Sequence, residues 1–246
     1  MPRERADKLL VARGLFQSRT SAKAAIDAGG VFADGAMVTK ANQMLSREAE
    51  IAAQAAHPYV SRGGLKLAHA LDIWPDIRVE GAACLDIGAS TGGFSDVLLR
   101  RGAAHIVAVD VGTGQLHPKI AGDPRVTNLE QTDARTLTLA QIGDPRVLVC
   151  DASFIALEKL LGPVIKQLGS NDPCDLILLF KPQFQVGRSN IGRNGVVSDR
   201  AAVEVAETGL KGWLASQGAV VKKTADSPIT GSEGNRERLI WAVCGL

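Results

Sequence analysis

Two lysines and two acidic residues end predicted strands or flank a glycine-rich loop, and they are the side chains best suited to chemistry: Lys66, Asp151, Lys181 and Glu237. Lys181 directly follows the apolar run DLILLF, where an ammonium group is costly to bury unless a carboxylate pairs with it. The charge of a second lysine lowers the proton affinity of the first, and carboxylates orient it. Such a group of residues suits the deprotonation of a weakly acidic hydroxyl, although each residue alone is equally typical of a solvated surface charge.

A glycine-rich segment, DIGASTGGF, lies between an apolar run and a helix-like run. Glycines there let the backbone approach a ligand, and the start of a helix offers free N–H groups. The segment has neither the GxGxxG spacing of dinucleotide folds nor the Gly-Lys-Ser/Thr of a phosphate loop. Its opening acid suits the cationic amino acid end of S-adenosylmethionine; an ordinary strand–helix turn is the alternative. The predicted cofactor residues of this segment are Asp86, Gly88, Ser90, Thr91, Gly92, Gly93 and Phe94.

Two further acids are candidates for the nucleoside part of that cofactor. Asp110 ends the next apolar run, about 20 residues further on, where a carboxylate accepts hydrogen bonds from ribose hydroxyls in nucleotide-binding sheets. Asp133, in QTDAR, is placed to reach an adenine amino group, and it is at least as typical of a turn or helix cap.

The elements that must position these residues alternate between strands and helices along residues 58–246. Four apolar runs of strand length carry polar residues at their carboxyl ends: CLDIGAS, HIVAVDVG, VLVCDASF and DLILLFKPQF. This alternation predicts an α/β fold with a mostly parallel, doubly wound, Rossmann-like sheet, in which ligands bind at the carboxyl ends of the strands. GAVVKKTADSP and ERLIWAVCGL predict a terminal antiparallel pair.

Residues 1–57 predict a separate, small α+β domain. A short helix closed by Gly14 precedes a second helix, which Ser18 caps and which buries Ala22, Ala25 and Ile26. Asp34-Gly35 predicts a tight hairpin, and Ala52 to Pro58 is alanine-rich, as expected of a linker. Four basic residues on the two helices are candidates for binding RNA phosphates, with solvated helix charges as the alternative: Arg5, Lys8, Arg19 and Lys23.

The bulk composition fits one ordinary domain plus a small one: 246 residues, 46% hydrophobic, with a net charge of +2. The four cysteines have no metal-type spacing and are expected to be buried and reduced, and the four histidines show no ligand spacing, so we expect no metal. The N-terminus lacks the apolar core of a secretory signal, and no apolar run approaches the ~20 residues that span a bilayer. We therefore expect a cytoplasmic protein without a membrane partner.

The order of these motifs resembles the TlyA family of ribosomal RNA methyltransferases, historically labelled haemolysins. The matching segments are VSRGGLKL, DIGASTGGFSDVLLRRGA, DASFI, LFKPQFQVG and SPITGSEGNRE, and the segment with SRTSAKAAIDAGGV is similar to an S4 RNA-binding domain. The family's methyltransferase domain is similar to the FtsJ type, whose Lys-Asp-Lys-Glu tetrad maps onto Lys66, Asp151, Lys181 and Glu237. One departure is visible: the family's KPQFE reads KPQFQ here, with Gln185 in the acidic position.

The resemblance implies roles and partners that the residues alone do not. Lys181 is then the central lysine that deprotonates a target 2′-hydroxyl, Asp151 and Glu237 tune and hold it, and Lys66 steadies the phosphate or ribose. The implied reaction is S-adenosylmethionine-dependent methylation of a cytidine 2′-hydroxyl in ribosomal RNA or ribosomal subunits, by a monomer. A haemolysin-type membrane-active protein and a non-catalytic, RNA-binding ribosome-assembly factor are the alternatives.

Overall fold

The computed structural model describes residues 2–168, 172–231 and 233–245, so Ser232 of the SPITGSEGNRE motif lies outside the described residues. The chain divides into two compact units, Met1–Pro58 and Tyr59–Leu246. The elements of the first unit are β1 (Arg3–Arg5), α1 (Ala6–Ala12), α2 (Arg19–Asp27), β2 (Val31–Ala33), β3 (Ala36–Met37), β4 (Met44–Ser46) and β5 (Ile51–Ala53). β1 pairs with β4, and β2 lies between β3 and β5; all of these pairs are antiparallel.

Local sequence signals explain the second helix of this unit. The Ser18 hydroxyl accepts a hydrogen bond from the Ser21 N–H, and the Ser21 side chain bonds back to the Ser18 backbone, which is a capping box. The helix buries its apolar face against the small core, and the predicted face is confirmed: Ala22, Ala25 and Ile26 are each at most 2% exposed.

The turn residues explain the hairpin formed by β2 and β3. Asp34 and Gly35 have φ values of 50° and 77°, the left-handed geometry that a two-residue hairpin turn requires, so the hairpin prediction is confirmed. The linker prediction is wrong at its start, because Ala52 and Ala53 belong to β5 and pair with Phe32 and Val31. Alanine carries no signal that separates an edge strand from a linker.

The second unit is a doubly wound α/β domain. Its elements before the fourth strand are α3 (Gly63–Ile73), β6 (Ala83–Ile87), α4 (Gly93–Arg100), β7 (His105–Val109), α5 (Pro118–Ala121), β8 (Val126–Leu129) and α6 (Leu139–Ile142). Those that follow are β9 (Val147–Cys150), α7 (Leu157–Ile165), β10 (Cys174–Phe180), α8 (Arg200–Ser216), β11 (Val220–Asp226) and β12 (Arg238–Cys244). The described strands form a seven-stranded sheet in the order β11-β12-β10-β9-β6-β7-β8.

The topology of this sheet decides where its ligands bind. β8, β7, β6, β9 and β10 are parallel neighbours, whereas β12 and β11 add an antiparallel pair at the edge, as predicted. The strand order reverses between β6 and β9, and such a switch point opens a crevice beyond the carboxyl ends of the strands. The glycine-rich loop follows β6, and Asp151 follows β9, so both lie at that crevice.

Helices cover both faces of the sheet. On one face, α3 and α4 pack Leu67 and Leu98 against strand residues such as Ile106; on the other, α7 and α8 contribute Leu161 and Leu210. Because parallel strands are covered on both faces, their successive residues are mostly apolar, which is why the sequence shows apolar runs in place of an alternating pattern. All four cysteines are buried and free. In the part of the chain that the structure describes, no helix combines the length and apolarity needed to cross a membrane.

Candidate active site

The loop between β6 and α4 passes close to its neighbours because of its glycines. Gly88 has a φ of 78°, and a Cβ atom there would lie 2.8 Å from the Cα of Ala152 in the loop after β9. Gly92 has a φ of 90°, and its Cβ would lie 2.8 Å from Leu116 Cδ1. Larger residues at either position would push the loops apart. The close approach places the glycine-rich loop and the loop after β9 side by side.

Asp86 lies beneath this loop, inside the protein. Its side chain is fully buried and accepts a hydrogen bond from Ser95 Oγ at 2.6 Å, while its Oδ1 atom has no hydrogen-bond partner among the described residues. Burial raises the pKa of Asp86 to about 7, against the opposing effect of the Ser95 hydrogen bond. An unpartnered buried carboxylate oxygen is unusual, and it favours a cation at the loop above it.

A cavity of about 450 Å³, which we call the aspartate cavity, opens on one side of the loop. Its lining residues are Ile87, Gly88, Ser90, Val109, Asp110, Val111, Gly112, Gln115, Thr132, Asp133, Ala134, Arg135, Asp151, Ala152, Ser153, Phe154, Ile155 and Leu160. Asp110 is held at the end of β7: its Oδ2 accepts from the Ser90 N–H at 2.8 Å, and its Oδ1 from the Gly112 N–H at 2.7 Å. Each carboxylate oxygen can accept two hydrogen bonds, so both retain capacity for a ligand.

Asp133 lies on the wall of the same cavity and also caps a short helical turn. Its side chain accepts from the Arg135 N–H at 2.9 Å and forms an ion pair with the Arg135 guanidinium at 2.5 Å. The hydrogen bonds from Arg135 hold the pKa of Asp133 below its usual range. The two interpretations of Asp133 in the sequence are therefore compatible, since the residue is both a cap and a cavity wall.

A second cavity, of about 270 Å³, lies on the other side of the loop, and we call it the lysine cavity. Its lining residues are Ser61, Arg62, Gly63, Lys66, Gly88, Ala89, Ser90, Thr91, Gly93, Phe94, Asp151, Ser153, Phe154, Lys181, Gln183, Phe184, Ile229, Glu233 and Glu237. All four residues predicted to do chemistry are among them. Of the predicted cofactor residues, Asp86 and Gly92 line neither cavity in the described structure.

The four chemical residues form two ion pairs. Lys181 Nζ lies 2.7 Å from Asp151 Oδ1, and Lys66 Nζ lies 2.5 Å from Glu237 Oε2. Both contacts are ion pairs without hydrogen-bond geometry. Both lysine side chains are only 9% exposed. Glu237, which we expected to help hold Lys181, forms its ion pair with Lys66 of α3 and lines the same cavity as Lys181.

Strand register explains why Asp151 and Lys181 meet. β9 and β10 are adjacent parallel strands with Cys150 opposite Leu178, so the residues that follow them reach the same edge of the sheet. Lys181 Nζ also donates to the Asp151 carbonyl at 3.0 Å and to Ser153 Oγ at 2.8 Å. The burial of this ammonium is thus compensated by three nearby oxygen atoms.

Five residues line both cavities and so form a shared wall between them: Gly88, Ser90, Asp151, Ser153 and Phe154. Phe154 is 89% exposed and has a φ of 68°, a left-handed conformation that costs about 1–2 kcal/mol in a residue with a side chain. Its ring centroid lies 5.3 Å from that of Phe184. The sequence analysis missed Ser153, whose signal is its place two residues after Asp151 at the same strand end.

Gln185, which stands where the family motif KPQFE has Glu, lines neither cavity. Oriented to satisfy its amide, it donates to Glu158 Oε2 at 3.0 Å and accepts from the Leu157 N–H at 2.9 Å, at the start of α7. A neutral amide suits this position, because a second carboxylate would face Glu158.

In the N-terminal unit, three of the four predicted RNA-binding residues line one open groove of about 680 Å³. Arg5 and Arg19 both pair with the buried Asp7, at 3.0 and 2.8 Å, and Lys23 pairs with Asp27. The arginine hydrogen bonds lower the pKa of Asp7 to about 2. Lys8 is exposed but does not line the groove. The full lining is Arg5, Asp7, Arg19, Thr20, Lys23, Asp27, Thr39, Lys40, Ala41 and Asn42, with four cationic and two anionic side chains.

Comparison with known proteins matches both units to families. Residues 59–243 match the FtsJ-like methyltransferase model, and residues 4–51 match the S4 domain model. The 16S/23S rRNA (cytidine-2′-O)-methyltransferase TlyA of Mycobacterium tuberculosis is 43% identical over 97% of this chain and 89% of the relative. The 23S rRNA (cytidine-2′-O)-methyltransferase TlyA of Campylobacter jejuni is 41% identical over 75% of this chain and 71% of the relative.

Solved structures agree with these matches. A chain from Streptococcus thermophilus described as a hemolysin is 38% identical, with a TM-score of 0.77 over 99% of this chain and 89% of its own. Magnesium protoporphyrin IX methyltransferase from Synechocystis, solved with bound SAM, shares only the fold, at 17% identity and a TM-score of 0.51 over 74% of this chain and 79% of its own. From the identity, the coverage and the order of its two domains, this chain belongs to the TlyA family of methyltransferases, which join an S4 domain to an FtsJ-like domain.

Proposed function

We propose that this chain transfers a methyl group from S-adenosylmethionine to the ribose 2′-hydroxyl of a cytidine in ribosomal RNA. The observation that carries the proposal is the shared wall, because it places a paired lysine and a cofactor-sized cavity on two sides of the same few residues. The relatives from M. tuberculosis and C. jejuni bear this activity in their names.

The aspartate cavity has the hydrogen-bond acceptors that the ribose hydroxyls and adenine amino group of a nucleoside require. Asp110, held by two backbone N–H groups, is placed to accept from ribose hydroxyls, and Asp133 from an adenine amino group. The glycine-rich loop then follows the amino acid end of the cofactor, whose cationic group is attracted by the unpartnered Oδ1 of Asp86 below the loop. When bound, S-adenosylmethionine supplies an electrophilic methyl group.

The lysine cavity takes the nucleotide to be methylated. Lys181 is the base for the 2′-hydroxyl, and Asp151 holds its amine at the shared wall through a carboxylate and a carbonyl oxygen. Lys66, anchored by Glu237, presents a cation to the ribose or a neighbouring phosphate. Methyl transfer is a displacement in line, so holding the hydroxyl oxygen on this wall supplies much of the acceleration.

The N-terminal unit captures structured RNA through its open groove. Arg5, Arg19 and Lys23 present their charges there, and Lys8 adds a further one outside it. Asp7 holds the two guanidinium groups together through their Nε–H and Nη2–H donors, which leaves their other N–H groups for phosphate oxygens. We further propose that the protein works as a monomer in the cytoplasm, where ribosomal subunits are assembled.

The test is methyl transfer from radiolabelled S-adenosylmethionine to purified small and large ribosomal subunits that lack the modification, followed by mapping of 2′-O-methylated positions. We expect label at cytidine 2′-oxygens with the full chain, and none with Lys181→Ala. Label on a base, or on a small molecule in preference to RNA, would contradict the proposal. Light scattering of the active protein, alone and with a subunit, tests the monomer.

A further inference from the structure

Three oxygen atoms surround the amine of Lys181, and they differ in what they can do with a proton. Nζ lies 2.8 Å from Ser153 Oγ, 3.0 Å from the Asp151 carbonyl oxygen and 2.7 Å from Asp151 Oδ1. A lysine ammonium has three N–H donors and no lone pair. The Ser153 hydroxyl and the Asp151 carbonyl accept hydrogen bonds from Nζ, and the Asp151 carboxylate forms an ion pair with it. This arrangement therefore suits the charged lysine, which is the form that cannot take a proton from a substrate.

A neutral lysine needs a different arrangement. It has two N–H donors and one lone pair, and the lone pair requires a hydrogen-bond donor that faces it. The carbonyl and the ionised carboxylate of Asp151 can only accept hydrogen bonds. Ser153 alone among these neighbours can reverse its role, because a hydroxyl both donates and accepts. The reactive form of Lys181 thus has the Ser153 hydroxyl pointing at its nitrogen.

The exposure of Lys181 and Ser153 also favours Ser153 as the group that contacts the substrate hydroxyl. Lys181 is buried, whereas Ser153 is exposed and lines both the lysine cavity and the aspartate cavity. The chain bends directly after Ser153, at Phe154, whose backbone is left-handed. Both residues line the lysine cavity, and Ser153 is the more exposed of the two, so a hydroxyl in this cavity has the readier access to Ser153.

We propose that Ser153 is a catalytic proton relay between the ribose 2′-hydroxyl and Lys181, an assignment that rests on the proposed function. The 2′-hydroxyl proton passes to Ser153 Oγ while the Ser153 proton passes to the Lys181 lone pair. The ribose oxygen forms its bond to the methyl carbon, and the methyl–sulfur bond breaks with its electron pair going to sulfur. One proton thus ends on Lys181, and Ser153 is regenerated as a hydroxyl.

Two variants separate a relay from a structural hydroxyl. Ser153→Ala removes the relay, and Ser153→Thr keeps a hydroxyl on the same backbone. Ser216→Ala is the matched control, because Ser216 is also exposed and also hydrogen-bonded, to the Trp213 carbonyl at the end of α8. The assay is single-turnover methyl transfer to ribosomal subunits with saturating enzyme and cofactor, together with calorimetric cofactor affinity and a thermal melt for each variant.

We expect Ser153→Ala to lower the single-turnover rate about 10²-fold, the low end of the range for general acid–base catalysis, because the 2′-hydroxyl must then give its proton directly to Lys181 from a less favourable position. Ser153→Thr should stay within about tenfold of wild type, and cofactor affinity and melting temperature should be unchanged in all three variants. The second readout is the rate in mixtures of H₂O and D₂O. If two protons move in the same step, the rate of the wild type depends on the deuterium fraction along a curve. In Ser153→Ala only one proton moves, so the dependence should be linear.

The possible failures are distinguishable. If Ser153→Ala keeps the wild-type rate, or the wild-type dependence on deuterium is linear or flat, the relay is wrong, although an inactive Lys181→Ala would leave the proposed function intact. If Lys181→Ala is fully active as well, the proposed base is also wrong. A Ser153→Thr variant as slow as Ser153→Ala at equal cofactor affinity would likewise overturn the relay.

Discussion

Replacing Lys181 removes an amine that we assign to catalysis and, at the same time, one half of an ion pair. Lys181 is 9% exposed and Asp151 is 20% exposed, with 2.7 Å between Nζ and Oδ1. Breaking a fully buried pair costs about 3–5 kcal/mol, and the partial exposure of Asp151 reduces this to about 2–3 kcal/mol. The loss of a general base costs about 10²- to 10⁴-fold in rate, which is about 3–5 kcal/mol in activation free energy. The stability effect and the catalytic effect are thus of similar size and must be separated.

A double substitution separates them. Lys181→Met leaves Asp151 without its partner, and we expect the full loss of stability together with the full loss of rate. Adding Asp151→Asn removes the orphaned charge, so most of the stability should return while the rate stays low. Lys181→Arg keeps a cation beside Asp151 but cannot act as a base near neutral pH, so it should be nearly as slow as Lys181→Met.

The control is a lysine of another ion pair, away from both cavities. Lys211 lies 2.6 Å from the buried Glu207 on α8, but Lys211 is 38% exposed and Glu207 keeps Arg238 as a second partner. Lys211→Met should therefore lose less stability than Lys181→Met and should not slow methyl transfer. The measurements are the free energy of unfolding in denaturant and the single-turnover rate with saturating enzyme across a range of pH. Lys181→Arg at the wild-type rate, or recovery of the rate in the double variant, would refute the assignment of Lys181 as the base.

Three further predictions test other parts of the site. Burial raises the pKa of Asp86 to about 7, so the carboxyl group keeps its proton up to that pH in the native state, whereas it loses the proton near pH 4 in the unfolded state. The free energy of unfolding therefore falls as the pH rises from about 4 to 7. Between pH 5 and pH 8 the free energy of unfolding of the wild type should fall by about 3 kcal/mol more than that of Asp86→Asn, and equal slopes in denaturant titrations would show that Asp86 ionises normally. Asp110→Ala should weaken cofactor binding about 10- to 100-fold in calorimetry with little change in the melt, since it removes a charged hydrogen-bond acceptor; unchanged affinity would exclude it from the cofactor site. Arg5 and Arg19 are replaced by Gln, together with Asp7→Asn to avoid an unpaired buried carboxylate. The slope of log binding constant against log salt concentration for RNA should then fall in magnitude by about 0.7–0.9 per lost phosphate contact. An unchanged slope would show that these arginines do not bind the RNA phosphates.

Several features of this protein could be predicted from the sequence because they depend on residues near one another in the chain. Asp34-Gly35 produces the hairpin through the backbone freedom of its own residues, and Ser18 caps the helix that begins at the next position. Asp151 and Lys181 follow apolar runs, and the carboxyl ends of parallel strands meet at one edge, so their meeting also follows from local pattern plus one topological rule.

Other features depended on which elements pack together, and no local pattern carries that information. Glu237 pairs with Lys66 instead of Lys181, although these residues are far apart in the sequence, because α3 packs beside the loop that leads into β12. Asp86 was expected to face the cofactor, yet it is fully buried, because its strand lies at the centre of the sheet. Ser153 lines both cavities because the close approach at Gly88 holds the loop after β9 beside the glycine-rich loop. The sequence determines which groups are available at each strand end, and long-range packing decides the partners that set their charge and reactivity.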